Sequence, residues 1–469
     1  MFSEVLFEND NKRIDSEYFK KQFLHFFKNV PNLRPLGKLV KDGYRVVYEN
    51  TKIVDKEDAI KNHFPIFLQA TDLETPFIKT NSFFYVDNDD WKRYPKGRIQ
   101  KGEILIEVKG KIDKVAIVPN DFPAKTLVSG SLFKLKINNE ISKHVLLTYL
   151  ISKFGIAFKD RYKTNLLISF ISKPDLYRIP VPSFGQKLSE YIDDMFIKIF
   201  KSKEESLSLY GQAERLLLTS VGFDNFNPSQ DKINIKSFKE SFQSSKRLDA
   251  EYYQKKYEQV IDKIISQKHD SLNNIVSISK SIEPGSDQYT DIGLPFYRVS
   301  DFNKFGLTEP DKKLSNLFVQ ENKAQIENLK PKKGTIIFSK DGSVGTAYLL
   351  RNDLPGITSS AILHLNIRNE KEIIPEYLTL VLNSKLVQMQ AERDAGGSII
   401  LHWRKEEIEQ VVVPIIDFKK QEKIAQLVEE SFRLKVESER LLKIAKKAVE
   451  IAIELDEETA MKFITDNNN

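Results

Sequence analysis

Ser339-Lys340-Asp341-Gly342 lies within KKGTIIFSKDGSVGTAYLL (332–350), between two apolar β-type runs. A hydroxyl, a lysine and a glycine in one short polar break are the groups that cradle a phosphate. The Gly-x-x-x-x-Gly-Lys-Ser/Thr spacing of a nucleotide loop is missing, however. The other reading is a β-hairpin closed by a glycine turn, either purely structural or reaching out to a ligand.

Other chemistry is restricted by what the chain lacks. There is no cysteine, which excludes disulfides, thiol nucleophiles and Cys-ligated metal centres. The six histidines are scattered, with no His-x-x-x-His or His-Glu-x-x-His pair, so no metal site is expected. No Gly-x-Gly-x-x-Gly and no Asn/Asp-Pro-Pro-Tyr/Phe occurs. We therefore expect no catalytic residue and no cofactor. What remains is basic clusters on turns. Lys109, Lys111 and Lys114 form one, and FKDRYKTN (158–165) brings Arg161 and Lys163 just past a helix. The positional counterpart of the second is RDAGGSIILHWRK (393–405), with Gly396, Gly397, Ser398, His402 and Arg404. Paired glycines let a backbone come close to a ligand. Basic, polar and aromatic side chains beside them suit a phosphate backbone and base edges. Taken one residue at a time, each is equally a solvated loop residue.

The elements that would position these residues occur twice. Gly102 and Gly334, and likewise Gly110 and Gly342, are 232 apart (334 − 102, 342 − 110). Pro123 and Pro355, Thr126 and Thr358, Ser152-Lys153 and Ser384-Lys385, and Pro182 and Pro414 keep the same spacing. RIDSEYFKK (13–21) resembles RLDAEYYQKK (247–256) two residues further out. A constant spacing over this length indicates two copies of one unit of about 230 residues. Each copy reads as a mixed α/β head, with strands such as EILIEVKG and TIIFSKDG, followed by a long helix.

The helices, 187–224 and 420–456, carry alternating three- and four-residue apolar steps, the period of a left-handed coiled coil. The first seam runs through Ile192, Ile199, Leu209 and Leu216, and the second through Ile424, Leu434, Leu441 and Ala448. At about 1.5 Å per residue each spans roughly 55–60 Å, and a helix that long with one narrow apolar stripe needs a partner. The expected architecture is α+β: a first head at 1–185, a helix at 186–225, a second head at 226–417 and a helix at 418–465. The helices pair antiparallel about a pseudo-two-fold axis. A dimerisation coil between chains is the other way to satisfy the seam.

The chain has 469 residues, 72 basic and 66 acidic, for a net charge of +6. That excess permits nucleic-acid binding without demanding it. No apolar run approaches the roughly 20 residues of a membrane span, and the start lacks the pattern of an export signal. A cytoplasmic protein without membrane contact is expected.

Two tandem heads, each followed by a long helix, with VVVPIIDFKKQEKIAQLV (411–428), LPFYRVSDF (294–302) and FSKDGSVGTAYLL (338–350), resemble the specificity subunit of type I restriction–modification systems. The first copy departs, with IEVKGKIDKVAIV and FPIFLQATDL at the corresponding places. The resemblance implies that each head is a target-recognition domain reading one half of a bipartite duplex sequence. The helices would set the gap and dock modification subunits, two of them. Those partners methylate adenine with adenosylmethionine, and restriction subunits supply nuclease and translocase. It also implies that Arg298, Ser339 and Lys340 lie at the DNA. A specificity module of another methylation or defence system, or a coiled-coil scaffold with protein-binding heads, would fit the same architecture.

Overall fold

The computed structural model describes residues 13, 15–48, 51–79, 83–164, 167–231, 233–397 and 399–467. They form two compact units, one of Met1–Ser202 with Glu437–Asn469 and one of Lys203–Val436. Each unit contains one head and a stretch of both long helices.

In the first unit a four-stranded antiparallel sheet runs in the order Val40–Tyr44, Leu132–Ile137, Ile104–Glu107, Val115–Ile117. The second unit repeats it with Val276–Lys280, Ile362–Ile367, Ile336–Ser339 and Ala347–Leu349. The two inner hairpins are in matching register, with Ile104 opposite Ile117 and Ile336 opposite Leu349. The glycines expected to be equivalent act alike. Gly102 and Gly334 take positive φ, and their N–H groups donate to Val118 O and Leu350 O, each at 2.9 Å.

Between the sheets' first strands and the hairpin strands the copies drift out of the 232 spacing. Ile66–Leu68 pairs in parallel with Thr126–Val128, and Leu294–Tyr297 pairs in parallel with Ile357–Thr358. Val128, opposite Leu68, thus takes the place of Thr358, opposite Tyr297. Thr126 and Thr358 are not equivalents, because a short length difference lies between the hairpin and this strand. FPIFLQATDL and LPFYRVSDF nevertheless fold alike. Asp72 accepts from Gln69 N and Asp301 from Arg298 N, each at 2.7 Å, closing the same tight turn.

The heads are attached to their helices by buried tyrosines. Tyr377 donates to Pro414 O at 2.7 Å, and Tyr149 donates to Pro180 O. Pro180–Val181 and Val412–Pro414 are short strands paired with Arg34–Pro35 and His269–Ser271. Proline tolerates these edges because its missing N–H is not needed there.

The first long helix is Gln186–Ser220, ended by Gly222. Gly222 lies at φ +68, and Phe223 N donates to Leu218 O at 2.8 Å, the closing bond of a glycine-capped terminus. Phe418–Glu454 is the second long helix, and the expected run to 465 breaks after it. Asp456 accepts from Thr459 N at 2.7 Å and starts a separate helix, Glu457–Asn467, with Glu457 and Glu458 in its first turn. Ala460 and Ile464 of that helix enter the core of the first unit, while Leu455 at the break is exposed.

Antiparallel pairing holds within each unit separately. In the first, Ser438 Oγ donates to Ile199 O at 3.0 Å, and Gly185 N donates to Glu457 at 2.7 Å. In the second, Ser206 and Ser431 each donate to the other's carbonyl at 2.7 Å, and Tyr210 shares a small cavity with Val428 and Phe432. Ile192, Ile199, Ile424, Leu434, Leu441 and Ala448 are buried as expected.

Beyond Ser206 the first seam rotates by one position. Tyr210, Leu217 and Val221 are buried, and Leu209 and Leu216 are only half-buried beside them. A helix that is not held to 3.5 residues per turn drifts about 20° per heptad, enough to bring the next residue inward. Leu217→Ala is therefore expected to cost about 2–4 kcal/mol, and Leu209→Ala under about 1 kcal/mol. Urea unfolding of the full chain separates the two; equal costs would restore the original seam.

A second prediction concerns pH. His364, buried in the second sheet, bonds through Nε2 to the Thr358 hydroxyl at 2.8 Å, and burial lowers its imidazole to about 4. An unfolded histidine titrates near ~6.5. The folded value is the lower one, so this residue's contribution is intact above pH ~6.5 and is lost as pH falls toward ~4, about 3 kcal/mol in all. The stability advantage of the wild type over His364→Gln should shrink by that amount between pH 7 and 4. A difference that stays constant with pH would contradict it.

Candidate nucleic-acid interface

The hairpin loop and the loop after the second head helix, treated as separate clusters in the sequence, are one structure. In the first unit Ile171 N donates to Val108 O at 3.0 Å and Gly110 N to Ser169 O at 3.0 Å. In the second, Trp403 N donates to Lys340 O at 2.7 Å and Gly342 N to Leu401 O at 2.8 Å. All four partners shift by 232 between copies. Lys109 thus bridges Phe170, and Asp341 bridges His402.

Both glycines are in the left-handed region, Gly110 at φ +117 and Gly342 at +71. The turn that brings the loops together would strain any other residue there. Gly342 has open space where a side chain would stand.

In the second unit, Asp341 lies between Lys340 Nζ at 2.5 Å and His402 Nδ1 at 2.9 Å. His402 is mostly exposed, whereas Lys340 and Asp341 are largely covered. Arg404 is exposed and paired with Glu407, and the Glu407 bond raises its guanidinium pKa. Asp341 thus holds the His402 ring, and Glu407 the Arg404 guanidinium, at the surface in fixed places. Trp403, between them in sequence, is buried with its ring 5.8 Å from Phe338. Its indole forms the floor on which the loop rests.

The first unit has a more open set. Lys109 and Lys111 are exposed. Lys114 is half-buried and donates to Ala70 O at 3.1 Å, and Lys163 pairs with Asp160 at 2.7 Å. Beneath the loop Lys159 is buried, and its ammonium donates to Asp113 O at 3.2 Å. Burial lowers it to about 8. Arg45 stacks on Phe170, the partner of Lys109, at 4.5 Å.

Two expected contact residues are turned inward. Ser339 is fully buried; its hydroxyl donates to Ser343 O at 2.5 Å and accepts from Thr346 N at 2.9 Å, so it shapes the loop. Arg161 is buried beneath aromatic rings, 4.4 Å from Tyr18, 4.8 Å from Phe23 and 5.3 Å from Phe27. Their π faces take the place of hydrogen bonds at its Nε and Nη1, which have no partner among the described residues. Arg298 caps its own turn and is about one-third exposed, away from the paired loops in sequence. Ser398 lies outside the described residues.

The repeated RIDSEY and RLDAEY form a clamp that their residue types alone do not reveal. In the second unit Arg247 makes a two-pronged bond to Asp249 (2.8 and 2.6 Å) and donates to Asp394 O at 2.7 Å. Tyr252 lies against Arg247 at 4.6 Å and against Arg393 at 5.1 Å. In the first, Arg13 is bonded to Asp15 (2.7 and 2.9 Å) and donates to Arg161 O at 3.0 Å and Lys163 O at 2.9 Å. Its Tyr18 lies between Arg13 and Arg161.

These bonds cap the carbonyl end of helices Lys153–Tyr162 and Lys385–Asp394, where helix carbonyls lack internal partners. They fix the point from which each interface loop departs. The Arg bonds also hold the Asp15 and Asp249 carboxyls below their ordinary range. Lysine keeps the charge but cannot reproduce the fork. Arg247→Lys is expected to cost about 1–3 kcal/mol and to speed amide exchange over 395–403. Exchange unchanged in that loop would remove the clamp from the account.

Among the described residues no cluster of His, Asp or Glu could hold a metal, and no helix is long and apolar enough to cross a membrane. Residues 269–446 match the family model described as the type I restriction modification DNA specificity domain. Among solved structures the chain is similar to the type I restriction-modification S subunit from M. genitalium, at 14% identity and TM-score 0.36, covering 93% of this chain and 96% of that one. The HsdS subunit from Thermoanaerobacter tengcongensis follows at 13% identity and TM-score 0.28, covering 91% and 98%. No curated relative matches the sequence.

Proposed function

We propose, since the chain carries a type I restriction modification DNA specificity domain over residues 269–446, that it is the specificity subunit of a restriction–modification complex and that both of its units read duplex DNA. The observation that carries the extension to the first unit is the pair of bonded loops. The first unit repeats, 232 residues earlier, the backbone bonds that build the interface loop of the matched domain.

On this reading each paired loop faces one half of a bipartite site. Lys109, Lys111, Lys114 and Lys163 serve one half, and Lys340, His402, Arg404 and Arg298 the other. Arg161 and Ser339 support rather than touch. Phosphate contacts supply salt-dependent affinity and base-edge contacts the choice of sequence. The two loops can differ in side chains because each meets different bases, while the duplex backbone they approach has two-fold symmetry. The antiparallel helices set the gap between half-sites and dock two modification subunits. Methylation and cleavage belong to the modification and restriction subunits, and this chain contributes no catalytic residue. The complex works in the cytoplasm.

Modified-base sequencing tests this. DNA from cells carrying the gene and its neighbours should hold a methylated motif of two short blocks with a fixed unspecified gap. Deleting this gene alone should abolish it. Arg404→Ala should relax one block and Lys109→Ala with Lys111→Ala the other, each weakening binding by about ten-fold or more. A substitution in one unit that changed both blocks equally would defeat the modular reading.

A further inference from the structure

The interface loops present something cationic contacts do not use. Leu167 and Ile168 in the first unit, and Ile399 and Ile400 in the second, are exposed aliphatic side chains. The pairs are again 232 apart, although the flanking residues, SFI after one and LHW after the other, differ. Single exposed aliphatic residues are ordinary on protein surfaces. An exposed aliphatic pair at the same place in two diverged copies requires an account.

Each pair sits on the tip of a closed loop. Thr164 N donates to Phe170 O at 2.8 Å in the first unit. In the second, Gly396 N donates to His402 O at 3.0 Å, and His402 N returns a bond to Gly396 O at 2.7 Å. Gly397, at φ +132, passes so close to the far side of the loop that a Cβ there would lie 2.1 Å from Ile400 O. The stem is thus held by backbone bonds and the turn is as tight as glycine permits. The arginine clamp fixes its base. A braced stem presents its apolar tip to solvent, where burial within its own unit is not achieved.

The surroundings favour a polyanion as the occupant. Next to the second tip stand His402 and Arg404, with Lys340 in the bonded strand; next to the first stand Lys109 and Lys111. Proteins that deform duplex DNA combine these two features, aliphatic side chains pushed between base steps and cations on the flanking phosphates. We propose that Leu167-Ile168 and Ile399-Ile400 are aliphatic wedges. Each inserts at one base step of the half-site its own unit reads and unstacks it. This rests on the DNA-reading function proposed above.

The test uses the full chain with its co-expressed modification subunits and duplexes of the methylated motif. 2-Aminopurine, which brightens on unstacking, is placed in turn at each half-site position. Wild type should bind specifically and brighten one step in each half. Ile399→Ser with Ile400→Ser should abolish the signal in one half only and weaken binding by about ten-fold. The salt slope should not change, since no phosphate contact is removed. Leu167→Ser with Ile168→Ser should do the same to the other half. Thermal unfolding of both variants should match wild type, because the positions are exposed.

Specific binding without brightening at any step would overturn the wedge and leave the reading function standing. So would variants with unchanged signal and affinity. Variants that keep the signal but no longer capture the modification subunits would overturn it in favour of a protein-docking tip. Wild type that shows no specific duplex binding would remove the reading function and the wedge together.

Discussion

The paired backbone bonds between the hairpin loop and the post-helix loop are the contact on which the rest of the interface depends. Either segment alone is an exposed loop with unpaired N–H and C=O groups, free to sample many conformations. Bonded through Val108, Gly110, Ser169 and Ile171, or through Lys340, Gly342, Leu401 and Trp403, they become a two-stranded platform with fixed side-chain directions. The cost of ordering loop residues is about 1–2 kcal/mol each for the backbone alone. An interface that bears it on folding does not bear it on binding. Ser339, the buried Trp403 and the arginine clamp all act on this platform from below, which is why their side chains turn inward.

The long helices answer a different constraint. Ser206, Ser431 and Ser438 stand at the centre of seams that would otherwise be aliphatic, and each hydroxyl is bonded to a carbonyl of the facing helix. A buried hydroxyl left unpaired costs about 1–3 kcal/mol, so a slip of the helices by one turn would orphan these groups. Leucines in their place would hold the pair more strongly and tolerate more slippage. Serines therefore trade adhesion for register.

The parts of this arrangement legible in the sequence were those governed by local rules. Two copies, the hairpin glycines, the seam from Ile192 to Ile199 and the proline edges followed from spacing and residue type. The rotation of the seam to Tyr210 and Leu217 was not legible, because strict heptads and a drifting 3.6 period place apolar residues within one position of each other. The break at Asp456 was written as Asp-Glu-Glu-Thr, a helix start, but lay hidden in a continuing apolar pattern. The interface itself depends on contacts between segments some 60 residues apart. Its charged residues could be named, but burial decides which of them face outward. Arg161 and Lys163 are two positions apart; one lies under three aromatic rings and the other beside solvent.

The division of labour between backbone and side chain explains how one chain can hold two unlike loop surfaces. What is equal in the two units is a backbone bond, a glycine conformation or the Arg-Asp-Tyr clamp, the first two recurring 232 residues apart and the clamp 234. Whatever may differ is a side chain on the platform. Lys109 is answered by Asp341, Phe170 by His402 and Ser172 by Arg404, each at a matching position. The backbone bonds that join the loops do not run through these side chains, so the side chains differ while the bonds stay. Such a surface can change its side chains without renegotiating its fold. The modest net charge of +6 fits the same logic. Basic side chains of the loops are held in place by Asp341, Glu407 and Asp160 rather than massed.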